Sequence, residues 1–352
     1  KKLGVYKHFF INGKNDLFDK FVSYIIKGNI LRGGVYPLCA GTERLVIGQK
    51  IVEVAKKIGA NNLAHGSTGA GNDQVRFDVA LAVLAPKMKV ETPIRDLGIS
   101  REDEVLYLKK HKVTISTETK KYSINVGMLG TTVGGNETKG SWEIPPEGVI
   151  PNFKTLETAS KTPQKIIISF EKGLPVAIDG KKMSGAEIME HLNVIGAKHA
   201  VGKNIHLGNT IIGIKGRILF AAPAALILIR AHSELEKLVL AKWQSFWKGN
   251  LAEFYGSMLH EALYFDPAMR DIEAYLDSSQ KVVYGDVRIS LYKGNIVVEG
   301  VKSPFSLMDT KIAIYGEENP LWDAKDIVGF SKIYGLSSVV AANVQKGINE
   351  KN

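Results

Sequence analysis

Apolar and polar positions follow two different periods along the first 112 residues. Apolar residues three and four positions apart mark four helices, and shorter continuous apolar runs mark the strands between them. Because strand and helix alternate, the pattern predicts a parallel sheet with helices on both faces. The predicted helices are Asp16–Lys27, Glu43–Ile58, Asn72–Leu84 and Arg101–Lys110, and the predicted strands are Val5–Ile11, Asn62–His65 and Met88–Thr92.

The pattern changes after residue 112. The stretch from Gly134 to Pro163 is rich in Gly, Pro, Lys and Glu and predicts a long connection. Strands and long helices then follow in runs, which predicts an α+β arrangement. The predicted strands are Lys165–Phe170, Leu174–Ile178, Ile211–Ile214, Ile218–Phe220, Val282–Leu291 and Asn295–Val301, and the predicted helices are Ser184–His199, Ala224–Val239 and Leu251–Leu263.

Composition narrows the classes of protein. The 352 residues are enough for two domains, and the net charge of +10 comes from lysines that are spread along the chain. This distribution favours a solvated surface that attracts small anions over nucleic-acid binding. No uninterrupted apolar run reaches the length of a membrane span, so we expect no membrane partner. The single cysteine, Cys39, excludes an internal disulfide, and a cytoplasmic location fits best.

One glycine-rich turn carries the candidate chemistry. It follows the predicted strand at His65, runs from Gly66 to Gly71 and leads into the helix that begins at Asn72. A helix N-terminus offers unpaired N–H groups and partial positive charge, and glycines let a ligand approach the backbone. Asp73 can hold an ammonium group, and Arg76, on the same helix face, can grip a carboxylate. Together these groups suit a zwitterionic amino acid beside a phosphate.

A purely structural interpretation of the turn is open on spacing alone. In that interpretation Asp73 caps the helix and Arg76 lies on a solvated face. The turn has neither the GxGxxG spacing of a dinucleotide site nor the Gly-Lys-Ser/Thr of a Walker A loop.

The string from His65 to Phe77 resembles the signature of the argininosuccinate synthase family, His-Gly-x-Thr-Gly-x-Gly-Asn-Asp-Gln-Val-Arg-Phe followed by an acidic residue. Further matches keep the family's order along the whole chain, and the sequence that flanks them is most similar to a divergent bacterial branch of the family. They are Tyr36-Pro37-Leu38, Tyr122-Ser123-Ile124-Asn125, Gly213-Ile214-Lys215 with Arg217, and Ser303-Pro304 with Ser306-Leu307.

The resemblance implies an ATP-dependent ligase of arginine biosynthesis, which joins citrulline and aspartate through a citrulline-adenylate. MgATP enters as a substrate, and no residue is expected to act as a covalent nucleophile or to hold a metal. Carried over by match, the aspartate-binding residues are Thr68, Asn72 and Asp73, the citrulline-binding residues are Tyr36, Asn72, Arg76, Ser123 and Thr132, and the ATP-binding residues are His65, Gly66, Thr68 and Asp73. For His65 a structural role under the turn is at least as well supported.

The sequence departs from the family pattern at several positions. Gly208 stands where the family has a glutamate that holds citrulline, Phe220 where it has a tyrosine, and Ala70 where the signature has a lysine. The family's opening Ser-Gly-Gly-x-Asp-Thr-Ser loop, which wraps the ATP pyrophosphate, occurs nowhere in the sequence. Lys1 to Gly4 has the composition of a helix end, so we expect a βα unit to be missing before it.

The resemblance implies an α/β fold. We expect a parallel-sheet nucleotide-binding domain of the ATP-pyrophosphatase (adenine nucleotide alpha hydrolase-like) type, incomplete at its N-terminus, an α+β synthetase domain and a C-terminal helical arm. The expected domains are 1–116, 117–322 and 323–352, and the family implies a homotetramer. Two alternatives remain open: a non-catalytic relative that binds amino acids or serves assembly, and a ligase for another ureido or amide substrate.

Two other motifs are discounted. His260-Glu261 begins like a zinc-protease helix, but Tyr264 stands where the second histidine must be. Trp243, Phe246 and Trp247 recur at helical spacing and predict core or subunit interface rather than base stacking.

Overall fold

The computed structural model of the chain describes residues 4–113, 121–308, 312–317 and 319–349. It divides into two compact units, one that ends at Phe305 and one that begins at Ser306. The domain boundaries predicted at residues 116 and 322 stay a prediction.

The N-terminal part of the first unit alternates helix and strand as the apolar pattern predicts. Its two strands pair in parallel, with Leu63 opposite Val90. The elements are α1 (α-helical Lys14–Leu17, π-helical Phe18–Val22 and α-helical Ser23–Gly28), α2 (Gly41–Ile58), β1 (Asn62–Ala64), α3 (Asn72–Leu84), β2 (Lys89–Glu91), α4 (Pro93–Asp96) and α5 (Arg101–Lys110). Helix α2 packs against α3 and β1, which places the start of α3 beside the start of α2.

The strand predicted from Val5 to Ile11 is wrong. A segment becomes a strand only when a neighbour completes its hydrogen bonds, and among the described residues β1 pairs with β2 alone. The segment runs without ladder bonds, and the side chains of Tyr6 and Phe10 are 101% and 90% exposed.

The rest of the first unit holds two antiparallel sheets. The strands are β3 (Ser123–Val126), β4 (Thr131–Gly134), β5 (Gln164–Glu171), β6 (Leu174–Ile178), β7 (Lys181–Lys182), β8 (Lys203–Asn209), β9 (Lys215–Ala221), β10 (Gly285–Tyr292) and β11 (Asn295–Lys302). Their strand orders are β11-β10-β5-β6-β7 and β3-β4-β9-β8. The α-helices are α6 (Gly185–Lys198), α7 (Pro223–Val239), α8 (Lys242–His260) and α9 (Pro267–Ser279), and short 3-10 turns are Asn136–Lys139 and Gln280–Val282.

The main core forms around α7. This helix buries Ile227, Leu228 and Leu235 completely and packs against β10 and β11 on one side and against α6 and α1 on the others. Burying a side chain of this size stabilises the fold by roughly 1.5–3 kcal/mol. The core therefore fixes α1 and, after it, the loop that carries Arg32 and Tyr36.

Two predicted elements of this part need correction. Ile211–Ile214 is a turn rather than a strand, because Gly213 takes a positive φ of 86° and Thr210 N donates to Ile214 O at 2.8 Å. Helix α8 begins at Lys242 rather than Leu251, and its Trp243, Phe246 and Trp247 side chains are more than half exposed. This aromatic stripe is therefore not core in the described chain.

The second unit contains helix α10 (Ala324–Asn349). Its stretch Ala324–Gly347 has a mean hydropathy of 1.3 and is long and apolar enough to cross a membrane by length and composition alone. A single such helix is weak evidence for a membrane span. The sequence predicted a helical arm over 323–352, but it did not single out this stretch as a possible membrane span, because charged and small residues interrupt its apolar run.

The capping box that opens α6 should contribute measurably to stability. Ser184 Oγ accepts from Glu187 N, and the Glu187 carboxylate accepts from Ser184 N at 2.8 Å. We expect Ser184→Ala to lower the free energy of unfolding by about 1 kcal/mol, measured by urea denaturation. Ser278→Ala, at an exposed position of α9, is the matched control and should change it little. Equal effects of the two substitutions would contradict a capping role.

Candidate active site

A cleft of about 650 Å³ opens where α3 begins. Its walls are the β1–α3 turn, the first turn of α2 and the sheet that contains β4, β8 and β9. Eight of the nine residues predicted from the sequence line it: Tyr36, Gly66, Thr68, Asn72, Asp73, Arg76, Ser123 and Thr132. Segments far apart in the chain thus meet at one place, which the signature string alone could not show.

The N-terminus of α3 is open toward the cleft. Gly71 precedes the helix in an extended conformation (φ −98°, ψ 165°), and no side chain caps the first turn. The alternative in which Asp73 caps the helix is wrong, because Asp73 already lies inside the first turn. Asn72 Oδ1 instead accepts from Ile211 N at 2.9 Å, which ties the helix start to the β8–β9 turn. In the part of the chain that the structure describes, no side chain caps the first N–H groups of α3, so these groups suit an anion.

Asp73 lies between two arginines. Its Oδ2 accepts from Arg44 Nε at 2.8 Å and its Oδ1 from Arg76 Nη1 at 3.0 Å. Arg44 also donates from Nη2 to Asn125 Oδ1 at 2.9 Å, which fixes its guanidinium plane. We call these three charged residues the Arg44–Asp73–Arg76 triplet. It carries a net charge of +1 and offers both donors and an acceptor to a zwitterion.

Arg76 is buried rather than solvated. Its exposed fraction is 6%, so the sequence interpretation of an exposed helix face is wrong. The side chain extends under the cleft and donates from Nη2 to His260 O at 3.3 Å, and its Nε has no partner among the described residues. The helical spacing correctly placed Arg76 on the face of Asp73, but could not show that α8 covers that face.

His260, at the end of α8, separates Arg76 from a third arginine. Arg32 Nη1 lies 2.6 Å from its Nε2, and Arg76 Nη2 lies 3.4 Å from its Nδ1. Burial, together with the charges of Arg76 and Arg32, lowers the pKa of His260 to about 3. A neutral imidazole has one acceptor nitrogen and both arginines can only donate, so the ring can accept a hydrogen bond from one of the two guanidinium groups at a time.

Tyr36 stands on the opposite wall among aromatic rings. It stacks on His206 with centroids 5.3 Å apart and meets Phe220 edge to face at 5.1 Å. Burial raises the pKa of its hydroxyl, which accepts from Ala40 N at 3.4 Å. A Cβ on Gly208 would lie 2.6 Å from His206 Nε2, so the imidazole occupies the space that a side chain at position 208 would need.

Strands β3 and β4 contribute hydroxyl groups. Ser123 pairs with Gly134 at one end of this strand pair, Thr132 pairs with Asn125 two positions further along, and Thr132 is 1% exposed. Its Oγ1 has no hydrogen-bond partner among the described residues. A buried hydroxyl without a partner costs free energy, so a ligand that reaches this wall would gain by bonding to it.

The His65 side chain does not line the cleft. It lies beneath the turn, stacked on Phe77 at 5.3 Å. Its Nδ1 accepts from Ser67 N at 3.3 Å, so its Nε2 carries the proton and donates to Asp78 Oδ1 at 3.1 Å. Asp78 accepts from Arg95 as well. The geometry supports the structural role that sequence reasoning left open for this histidine.

Sequence reasoning missed several residues of the cleft: Arg32, Arg44, Asn125, His206 and His260. His260 was noticed only as a failed zinc motif. Arg44 follows Tyr36 by eight residues and lies in the first turn of α2. This short distance from a predicted site residue was the signal that could have indicated Arg44 as a residue of the cleft.

A parallel strand, a glycine-rich turn and an uncapped helix that face an arginine-rich cleft define a class of protein. They are typical of enzymes that hold nucleotides and charged small molecules together.

Comparison with known proteins narrows the class to one family. The family profile described as the arginosuccinate synthase N-terminal HUP domain matches residues 1–114, and the arginosuccinate synthase C-terminal domain matches residues 122–341. The argininosuccinate synthase of Pyrococcus furiosus is 37% identical over 348 residues, which cover 99% of this chain and 84% of the relative. That of Staphylococcus aureus is 37% identical over 350 residues, with 99% and 87% covered. The chain belongs to the argininosuccinate synthase family of ATP-dependent ligases.

Because Arg76 is buried and charged, its removal should destabilise the fold. Arg76→Ala leaves a void and removes one of the two donors to Asp73, so we expect the free energy of unfolding to fall by about 3 kcal/mol. Urea denaturation measures the change. Arg230→Ala, which removes a half-exposed arginine paired with Glu234 on α7, should cost less than about 1 kcal/mol. An equally small effect at Arg76 would show that the side chain is solvated after all.

Glu43, under the cleft beside the Gly127–Gly130 turn, should make stability depend on pH. Burial raises the pKa of its carboxyl from 4.5 to about 7, against the charge of Arg44 and the N–H groups of Leu129 and Met128. The folded chain therefore binds more protons than the unfolded chain between these values, and stability falls as pH rises through the window.

Glu43→Gln should remove this loss. The shift corresponds to about 3 kcal/mol, so the variant should gain up to that much relative to the unsubstituted chain between pH 5 and pH 8. Urea denaturation at the two pH values gives the difference. Glu53→Gln on the exposed side of α2 is the control, and a pH-independent difference for Glu43→Gln would contradict the raised pKa.

Proposed function

We propose that the cleft seats citrulline and aspartate side by side and that the chain joins them at the expense of ATP to give argininosuccinate, as the family's name describes. Aspartate would bind at Thr68, Asn72 and Asp73. Citrulline would bind at Tyr36, Asn72, Arg76, Ser123 and Thr132. These assignments rest on the resemblance and are supported by the position of these residues around one cleft.

The Arg44–Asp73–Arg76 triplet is the observation that carries the proposal. Each carboxylate oxygen of Asp73 already accepts a hydrogen bond from one arginine, so the Asp73 side chain is oriented before any substrate binds. An incoming α-amino group can share this carboxylate, and an incoming α-carboxylate can take the remaining guanidinium donors. Orienting charged groups in advance reduces the free-energy cost of binding and of reaching the transition state.

The reaction needs two nucleophilic displacements, the first at the α-phosphorus of ATP and the second at the ureido carbon of citrulline. The ureido oxygen of citrulline attacks the α-phosphorus of ATP, pyrophosphate leaves, and a citrulline-adenylate forms. The amine of aspartate then attacks the ureido carbon, AMP leaves with the electron pair of the broken bond, and the amine loses its proton. Positioning and charge stabilisation suffice for both steps, and no side chain forms a bond to a substrate.

The nucleotide would lie against the Gly66–Gly71 turn. The backbone N–H groups of this turn and of the uncapped first turn of α3 suit phosphate oxygens. Gly66, Thr68 and Asp73 would contact ATP directly, while His65 would act from below by holding Ser67 and Asp78 in place. Mg²⁺ would arrive as part of the substrate, held by the phosphates.

The departures at Gly208 and Phe220 change how citrulline would be held on the sheet wall. Neither residue offers a carboxylate or hydroxyl, and His206 and Tyr36 pack closely around them. The buried Thr132 Oγ1, which has no partner among the described residues, supplies hydrogen-bonding capacity on this wall. We therefore propose that Thr132 and Ser123 carry the contacts there.

We also propose a homotetramer located in the cytoplasm. Helix α10 exposes a row of apolar side chains, among them Phe330, Ile333 and Leu336, and α8 exposes its aromatic stripe. Exposed apolar rows of this kind are typical of subunit interfaces. The arm predicted from residue 323 onward would pack against other subunits.

AMP release is the direct test of ligation. The chain, given MgATP, citrulline and aspartate, should release AMP and pyrophosphate in equal amounts, and omission of aspartate should abolish steady turnover. We expect Asp73→Asn to lower kcat/KM for aspartate about 10- to 100-fold, the equivalent of a lost charged hydrogen bond. Arg76→Lys keeps the charge but loses the planar fork, and should lower kcat/KM for citrulline by a similar factor.

Arg230→Lys, on α7 and outside the cleft, is the matched control and should behave as the unsubstituted chain. Binding of citrulline and aspartate without AMP release would favour the non-catalytic alternative. AMP release with another ureido compound but not with citrulline would favour a different substrate. Unchanged kinetics in both cleft variants would contradict the assignment of the triplet.

A further inference from the structure

A second cavity, of about 620 Å³, lies on the other side of Arg32 from the cleft. The loop after α1 forms one wall, and α7 and α8 form the others. It contains Lys248, which is only 3% exposed, and Glu236, which is 5% exposed. Charged side chains are almost never so deeply buried without a partner, so the bonding of this pair decides what the cavity can hold.

The acceptor capacity of Glu236 is already used. Its Oε2 accepts from Lys248 Nζ and from Asn29 Nδ2, each at 2.5 Å, and its Oε1 accepts from Gln280 Nε2 at 2.7 Å. A carboxylate bonded to three donors has little left to offer a cation. The part of the cavity around Glu236 is therefore a poor site for an ammonium group or a metal ion.

The donor capacity of Lys248 is not used up. An ammonium group has three N–H donors, and Nζ bonds to Glu236 alone among the described residues. Arg32 and Lys237 line the same cavity, as do Ser233, Ser257 and the exposed Glu253, while the Arg32 guanidinium bonds to His260 and to Asn209 O at its far end. The lining therefore carries three cationic residues against two carboxylates, and spare donors in such surroundings favour a small anion.

Arg32 also connects this cavity with the cleft. It lines both, and its Nη1 lies 2.6 Å from His260 Nε2. His260 in turn contacts Arg76, whose Nη1 bonds to Asp73. An anion that drew Arg32 toward itself would weaken the Arg32–His260 contact and loosen the support of Arg76.

We propose that the second cavity is a binding site for a small anion, a carboxylate or a phosphate, held by Lys248 and Arg32, and that its occupation lowers citrulline affinity in the cleft. The coupling rests on the proposed function, whereas anion binding does not. Titration of the anion alone therefore tests the anion site separately from the proposed function on which the coupling rests.

The experiment blocks the cavity without touching its ion pair. A Cβ on Gly249, at the cavity wall on α8, meets no atom within 4 Å, so Gly249→Leu should fill the space and leave Lys248 and Glu236 in place. Asn250→Leu adds the same side chain one residue further on, at an exposed position outside the cavity. Isothermal titration with malonate and with inorganic phosphate separates the two anion chemistries.

We expect at least one probe to bind the unsubstituted chain and Asn250→Leu, and to bind Gly249→Leu at least tenfold more weakly. With that probe present, citrulline affinity should fall about fivefold in the unsubstituted chain and stay constant in Gly249→Leu. No binding of either probe up to about 10 mM, where a millimolar site would be saturated, overturns the site. Equal binding to Gly249→Leu places the anion elsewhere and also overturns it. Bound anion with unchanged citrulline affinity overturns the coupling.

Discussion

The contact between Asp73 and its two arginines is the interaction on which the site depends. Arg44 comes from α2 and Arg76 from α3, so the carboxylate joins two helices at the point where the cleft opens. Two cations around one anion leave a net positive charge, which would be costly in a buried place without a compensating ligand. The arrangement is therefore complementary to substrates that bring carboxylates, and the packing of α2 on α3 is what keeps it in register.

Burial on the side of α8 strengthens this arrangement. His260 stays neutral because burial and two flanking guanidinium groups oppose its protonation, as its lowered pKa of about 3 shows. A neutral ring can lie between Arg32 and Arg76 where an imidazolium would repel both. The residue that resembled half of a zinc motif thus separates two like charges, and its role follows from its surroundings and not from the motif.

The sequence predicted the elements that depend on local pattern, and it did not predict those that depend on tertiary context. The bounds of α3 (Asn72–Leu84) and α5 (Arg101–Lys110) were predicted correctly, since helix ends depend on neighbours a few residues away. The strand at Val5–Ile11 failed because a strand needs a partner that local pattern does not supply. Strand β8 was missed because Lys203–Asn209 mixes glycine, asparagine and lysine with few β-branched residues.

The same division explains the site. The residues of the signature could be named because they follow one another, whereas Arg44, His206 and His260 reach the cleft from three other elements. The burial of Arg76 depends on α8, which lies more than 160 residues further along the chain. Family resemblance supplied residue roles that spacing could not, but it indicated at Gly208 only the loss of a glutamate.

The His206 ring fills the space that a side chain at position 208 would occupy, and it stacks on Tyr36. Glycine at 208 and the imidazole at 206 are therefore compatible as a pair. Departures from a family pattern are therefore better interpreted in pairs of touching residues than one position at a time.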